Sequence, residues 1–214
     1  QYLQIDQSKS VTRKALEHAV YFTHDFTPSP RFSFRAGLRL SCFQNIGAEE
    51  FYVMDELVHV VNDTLYCGSG EIFNTEINPE PRLAAKFQIN EHSSVKASYS
   101  RTAQYAQIAS SATGGLPFDV WFPTSPNVKP QKCDQFALGY FHNFKNDAIE
   151  TSVEVYYKNM QNVIDFKDNA ITYGYLLIDG QLRTGKGRSY GAEFLIRKNV
   201  GKFTGWISYT YSRS

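Results

Sequence analysis

Apolar and polar residues alternate along most of this chain with the period of a β-strand. In the run 31–42, Phe32, Phe34, Ala36, Leu38, Leu40 and Cys42 occupy the even positions, and every odd position is polar or glycine. A strand there has one apolar face and one polar face. Similar runs follow at 82–90, 94–105, 134–144, 148–160, 188–198 and 202–212, and 14–26 is a looser version. Soluble strands average about 5–6 residues, whereas a tilted membrane-crossing strand takes roughly 9–11. Most of these runs have the membrane length.

The connections alternate between short and long. Residues 27–30, 91–93, 145–147 and 199–201 are tight links rich in Pro, Asn, Asp, Ser and Gly, the residues that turns need. Between them lie 45–81, 106–132 and 161–187, far longer than hairpin loops. A β-sandwich also alternates, but it has no reason to gather every long loop at one end. Membrane barrels do so, with short periplasmic turns and long extracellular loops. The pattern therefore predicts an all-β fold, a transmembrane antiparallel β-barrel section of about eight strands.

Composition narrows this reading. The chain has 214 residues and a net charge of +1, so no global field points to nucleic acid. It contains no apolar stretch of membrane-helix length, and a barrel, whose polar lumen dilutes hydropathy, needs none. Aromatics make up 15% of the chain. Phe26, Phe32, Phe144 and Phe203 fall toward the short turns, and Tyr105, Tyr156, Tyr157, Tyr209 and Tyr211 toward the opposite end, as two interfacial girdles would. The chain opens at Gln1 without a charged-then-apolar leader and its last run stops without a turn. Residues 1–214 are accordingly expected to be one section of a longer barrel.

Little in the chain suggests bond-making chemistry. Cys42, Cys67 and Cys133 are too few for a disulfide scaffold; a Cys67–Cys133 bridge in an oxidising exterior and free thiols both stay open. The run 180–187 falls one residue short of a nucleotide-binding loop: Gly187 stands where Ser or Thr should follow Lys186, and a strand pattern follows where a helix is needed. The five histidines are scattered without metal-ligand spacing, and no serine sits in a nucleophile elbow. No enzyme, no metal and no cofactor is expected. The candidate ligand contacts are Phe118, Asp119, Trp121 and Tyr105, in or beside the second long loop, because aromatics there offer rigid amphipathic contact area. The competing reading is that they fold the loop onto its neighbours.

The segments 81–87, 95–102, 121–131, 138–141, 154–158 and 185–191, in this order and spacing, resemble the barrel of TonB-dependent outer-membrane receptors, especially the Bacteroidetes type, from about residue 13 onward. The resemblance implies a roughly 22-stranded barrel filled by an N-terminal plug, taking up a scarce nutrient with energy delivered through TonB. It implies an outer-membrane location in a Gram-negative bacterium. Outer-membrane lipid and lipopolysaccharide would be partners, and so would the TonB complex, reached through a plug region that these 214 residues do not contain. Siderophore, vitamin, glycan and peptide all remain open as ligands.

Strand parity then assigns the walls. Arg35, Arg39, Lys86, Gln88, Lys96, Ser98, Gln135, Glu150, Ser152, Glu154 and Glu193 are expected in the lumen, and Leu38 and Val153 on lipid. Arg101 shares the lipid parity and is expected to snorkel toward lipid phosphates. The alternative architecture is a complete eight-stranded barrel, the smallest closed size, with a structural or adhesive role.

Overall fold

The computed structural model describes residues 13–47, 50–55, 61–109, 120–145, 147–168, 170 and 178–214. Eight long strands form one sheet: β1 (Lys14–Ser29), β2 (Phe32–Ile46), β5 (Ile72–Asn90), β6 (Ser93–Gln104), β9 (Gln131–Phe144), β10 (Ile149–Phe166), β11 (Leu182–Lys198) and β12 (Gly205–Arg213). Two short hairpins lie within the long connections, β3 (Glu50–Met54) with β4 (Val61–Tyr66), and β7 (Ala106–Ala109) with β8 (Val120–Pro123). Every long strand pairs antiparallel with the next one along the chain, in the order β1-β2-β5-β6-β9-β10-β11-β12. All eight alternating runs are therefore strands, joined as an up-and-down meander.

The short links close as their residues dictate. Lys145 and Asp147 adopt left-handed φ values of 53° and 65°, and Gly201 takes φ 112°, where only glycine sits without strain. The Asn90 side chain accepts the His92 backbone N–H at 2.9 Å, an Asx turn that fixes the β5–β6 corner.

Most strands outrun their sequence pattern at the loop end, β5 most of all. It begins at Ile72, not near Arg82, because Pro79 and Pro81 obscure its alternation. Gln88 donates its backbone N–H toward β2, to the Arg31 carbonyl, at 2.7 Å. Alternate positions of an antiparallel strand point to opposite edges, so the two proline nitrogens face β6. The β5–β6 ladder ends there, at Arg82 opposite Ser100. Prolines are tolerated in this strand because they fall where no ladder donor is required.

The register carries one row of outward residues across seven strands: His24, Ala36, Leu83, Tyr99, Phe136, Tyr157 and Tyr190. Leu38, Phe136, Leu138 and Val153 on this face are between 41% and 52% exposed, the state of side chains built to meet lipid. On β1 the apolar positions continue past His24 through Phe22 and Val20 to Leu16, interrupted by His18, whereas on β11 they stop at Tyr190. The apolar band thus crosses the strands obliquely, at roughly 40° for ordinary strand rise and spacing, the tilt of a barrel wall. The opposite parity is the polar face, which the loops cover at one end: Ser41, Phe43, Asn45, Asn78 and Glu80 are all buried.

The aromatic girdles are partly redrawn. Phe26, Phe32, Phe144 and Phe203 are exposed toward the short turns. Toward the loop end, Tyr157 is joined on the lipid face by Tyr99, Phe136 and Tyr190. Tyr105 is buried, and Tyr156 lies on the polar parity, opposite Gly191, with the Lys158 ammonium 5.3 Å from its ring. A Cβ at Gly191 would come 2.8 Å from the Tyr156 hydroxyl, so the glycine makes room for that ring.

β1 and β12 each pair on one side only, and all their residues are exposed. A closed eight-stranded barrel requires a β1–β12 ladder, and the sheet has none; the complete small barrel is not the architecture. The sheet is a section of a larger barrel wall whose two edges require further strands.

An arginine at a midplane lipid-facing site costs about 2–4 kcal/mol. Leu38→Arg in the intact protein is therefore expected to lower bilayer refolding stability by that amount. Arg35→Ala breaks only an exposed pair to Asp25 and should leave refolding nearly unchanged, because exposed ion pairs contribute little. Equal effects in a denaturant refolding titration would contradict the assigned faces.

Candidate functional site

In the described parts of the three long connections, hydrogen bonds and a small apolar nucleus tie the segments together over one end of the sheet. Tyr105, just after β6, is the central brace. It is 3% exposed, and its ring stacks on Phe43 at 5.0 Å with an interplanar angle of 7°. Asn78 Nδ2 donates to the Tyr105 hydroxyl at 2.9 Å. Ser41 Oγ lies 2.7 Å from the same hydroxyl and donates to Glu80 Oε1 at 2.7 Å. A serine has one proton to give, so the chain runs Asn78 to Tyr105 to Ser41 to Glu80. It ends on a buried carboxylate flanked by Arg39 at 3.6 Å and Arg82 at 4.0 Å, the compensation a buried charge requires.

The same brace anchors the second connection at both ends. Thr124 donates its N–H to the Tyr105 carbonyl at 2.6 Å, and Asn45 Nδ2 donates to the Thr124 carbonyl at 2.8 Å. Beyond it, Ala109, Phe122 and Val128 pack with Ile164, Phe166 and Leu182, the Phe122 and Phe166 rings meeting edge to face at 5.9 Å. A bulge between Gln161 and Val163 shifts the β10 register, with Asn162 at φ 58°. Asn162 Nδ2 donates from there to the Pro130 carbonyl at 2.9 Å, holding the proline-rich segment against β10.

Asn127 in that segment joins all three connections. Its Nδ2 donates to the Tyr52 carbonyl at 2.8 Å and to Asp179 Oδ2 at 3.4 Å, and its Oδ1 accepts the Met54 N–H at 2.9 Å. Asp179, in the 3-10 turn Ile178–Gln181, also takes Arg13 at 2.9 Å. The start of the described chain thus meets the third connection.

The candidate contacts divide accordingly. Trp121 is 63% exposed, and its cross-strand neighbour on the β7–β8 hairpin, Ile108, is 44% exposed; the other face of the hairpin carries buried Gln107 and Phe122. Trp121 and Ile108 therefore present an apolar surface to solvent. The structure does not bring Tyr105 to that surface: its burial and hydrogen bonds make it the brace beneath. Phe118 and Asp119 lie outside the described residues. Asn127, Asp179, Asn78 and Glu80 escaped the sequence reading. Asn78 and Glu80 share a parity and alternate with Pro79 and Pro81, whose presence obscures the strand pattern there.

The remaining chemistry is sparse. All three cysteines are free, and Cys67 and Cys133 are not bridged. Burial pushes the Cys67 thiol up, and the Glu71 carboxylate adds to this, so it is a poor nucleophile. The run 180–187 spans the 3-10 turn and the start of β11, without a phosphate-cradling helix. Among the described residues no His/Cys/Asp/Glu group could hold a metal ion. Arg101 does not stand alone: it makes a bidentate pair with Asp134 at 2.7 and 2.9 Å.

A tilted, two-faced antiparallel meander with braced loops over its polar face is the wall and mouth of a membrane β-barrel. The chain belongs to the TonB-dependent receptor-like β-barrel family, whose model matches residues 2–214. No curated protein sequence matches it. Among solved structures, it is similar to the FrpB iron transporter from Neisseria meningitidis at a TM-score of 0.61 and 13% identity, covering 94% of this chain and 26% of that one. The copper transporter OprC matches at TM-score 0.59 and 11% identity, over 93% of this chain and 30% of that one. The outer-membrane alcaligin receptor FauA from Bordetella pertussis matches at 0.55 and 14%, over the same shares. These likenesses establish the fold, and the chain spans under a third of each structure.

Tyr105→Phe keeps the stack on Phe43 but leaves Ser41 and Asn78 short of a partner, a loss of about 1–3 kcal/mol. In the full receptor, protease cleavage within 105–130 is expected to quicken by about tenfold or more while barrel assembly stays normal. Unchanged cleavage would show that Tyr105 is not the brace.

Proposed function

We propose that this chain is a barrel section of a TonB-dependent outer-membrane receptor of the Bacteroidetes type, importing a scarce nutrient into a Gram-negative cell. The order and spacing of the six segments 81–87, 95–102, 121–131, 138–141, 154–158 and 185–191, taken together, support the Bacteroidetes type. The plug and its TonB contact belong, on this reading, to parts of the receptor outside these 214 residues. The process is binding followed by gated passage rather than bond-making.

One observation carries the proposal: the connections converge, braced by Tyr105 and Asn127, over the polar face at a single end of the tilted sheet. That geometry builds a rigid mouth above a lumen. Trp121 and Ile108 are held there on a hairpin whose other face is locked into the nucleus, so they lose little freedom on meeting a ligand. Phe118 and Asp119 complete the proposed contact set. Whether the nutrient is a siderophore, metal complex, glycan or peptide is for a binding screen.

The test is replacement of Phe118 and Trp121 by Ala in the full receptor. Binding or uptake should fall at least tenfold, as loss of aromatic anchors does, with unchanged receptor abundance in the outer membrane. Unaltered uptake, or loss of assembly, would remove the hairpin from the ligand site.

A further inference from the structure

The strands β5 and β6 part before either of them ends. Their ladder stops at Arg82 opposite Ser100, yet β5 stays paired with β2 as far as Ile72, and β6 stays paired with β9 as far as Gln104. Two strand ends therefore stand side by side, each bonded on its far side only. The backbone groups of Gln88 point to β2, and so do those of the other even positions of β5. The odd positions point to β6, and beyond the last pair these are Pro81, Pro79, Ile77 and Thr75. Pro81 and Pro79 offer carbonyls alone, whereas Ile77 and Thr75 offer N–H and C=O. Among the described residues none of these groups has a backbone partner. Arg101 and Ala103, on the facing side of β6, stand in the same position.

A free strand edge is a template for another strand, and this one is bounded. Pro81 lies opposite Leu38 of the apolar band, so the two prolines remove donors from the stretch nearest the hydrocarbon, where an unpaired N–H is costly. Farther out, Thr75 is exposed and its hydroxyl takes a contact from Gln44 Nε2 at 3.5 Å, so the outward parity there is polar. Ile77 is 59% exposed. The inner side of the seam is closed: the Tyr105 hydroxyl bonds Asn78 and Ser41 from the lumen face, and its ring covers Phe43. An occupant of this edge is therefore reached from outside and is not on the path into the lumen. The Thr75 and Ile77 donors recur about 7 Å apart, a repeat that a polypeptide backbone matches and a glycan or metal complex does not. The end of β6 on the far side of the seam would obstruct a second folded barrel but leaves access to a single extended chain.

We propose that the Thr75–Pro81 edge of β5 is a docking site for an extended segment of a partner protein at the outer surface, bound by strand addition. Thr75 and Ile77 exchange hydrogen bonds in both directions with the guest strand, and Pro79 and Pro81 only accept, which sets where along the edge the guest can lie. Guest side chains alternate between the apolar surface of Ile77 and Pro79 outside and the polar side of Glu76 and Asn78 within. The site rests on the barrel wall described above and is independent of which nutrient the receptor imports.

Amide hydrogen exchange of the full receptor in detergent micelles, resolved to single residues by fragmentation mass spectrometry, reads the edge directly and needs no variant. The Thr75 and Ile77 amides are expected to exchange about a hundredfold faster than those of Glu76 and Asn78, which face β2. A saturating short peptide of alternating threonine and valine should slow Thr75 and Ile77 about tenfold and leave Glu76 and Asn78 unchanged. The same peptide carrying a fluorophore should bind the receptor, and Thr75→Pro with Ile77→Pro should weaken that binding about tenfold by removing both donors. That exchange leaves the β2–β5 ladder whole, because neither N–H belongs to it. Thr75→Val with Ile77→Thr keeps both donors and should bind as the natural receptor does. Slow exchange at Thr75 and Ile77 without peptide would show the receptor's own chain covering the edge. Equal binding to the proline variant would place the peptide elsewhere. Either result, or absence of peptide binding, overturns the proposal.

Discussion

Everything in this structure depends on one requirement: backbone N–H and C=O groups inside hydrocarbon need partners within the protein. A sheet meets it only if each strand pairs along the whole crossing and the wall closes on itself. The neighbour-to-neighbour ladders from β2 through β11, with bulges only near the strand ends, follow from this, as does the placement of Pro79 and Pro81, which fall beyond the last β5–β6 pair. The unpaired edges of β1 and β12 follow as well, since a wide barrel continues past them.

The tilt required by closure shapes the outer surface. The apolar band slides along the strands from β1 to β11, so residues at one register sit in different media: Leu38 in hydrocarbon, Arg188 beyond it. On the inner side the strands overshoot the membrane and supply a platform for the loops. There the balance changes from lipid contact to satisfied polar burial. The buried Glu80 carboxylate is tolerable because Ser41, Arg39 and Arg82 surround it, and the chain of donors ending on it holds Tyr105, and through the Tyr105 carbonyl the segment at Thr124.

The fold was legible because few structures hold a side-chain period of two over membrane length, and turn residues marked every short link. The strand ends at the loop side were not legible. Above the bilayer no medium enforces alternation, and in β5 the prolines broke the pattern outright. The hairpins β3–β4 and β7–β8 are too short to show periodicity. The mouth was legible only in part: aromatic enrichment drew notice to Trp121 and Tyr105 alike, but nothing local distinguishes an exposed ring from a buried brace. That distinction rests on Phe43, Ser41 and Asn78, distant in sequence. Asn127 was hidden for the same reason, since its partners Tyr52, Met54 and Asp179 come from two other connections.

The central claim is that alternate residues of each long strand face lipid and lumen. Nitroxide labels placed one at a time at 34–41 on β2 and 134–141 on β9 of the full receptor in bilayers test it directly. Collision with lipid-dissolved oxygen should peak at the even positions in both strands, and collision with a water-soluble nickel chelate at the odd ones. A flat profile, or maxima with the opposite phase, would contradict the barrel wall described here.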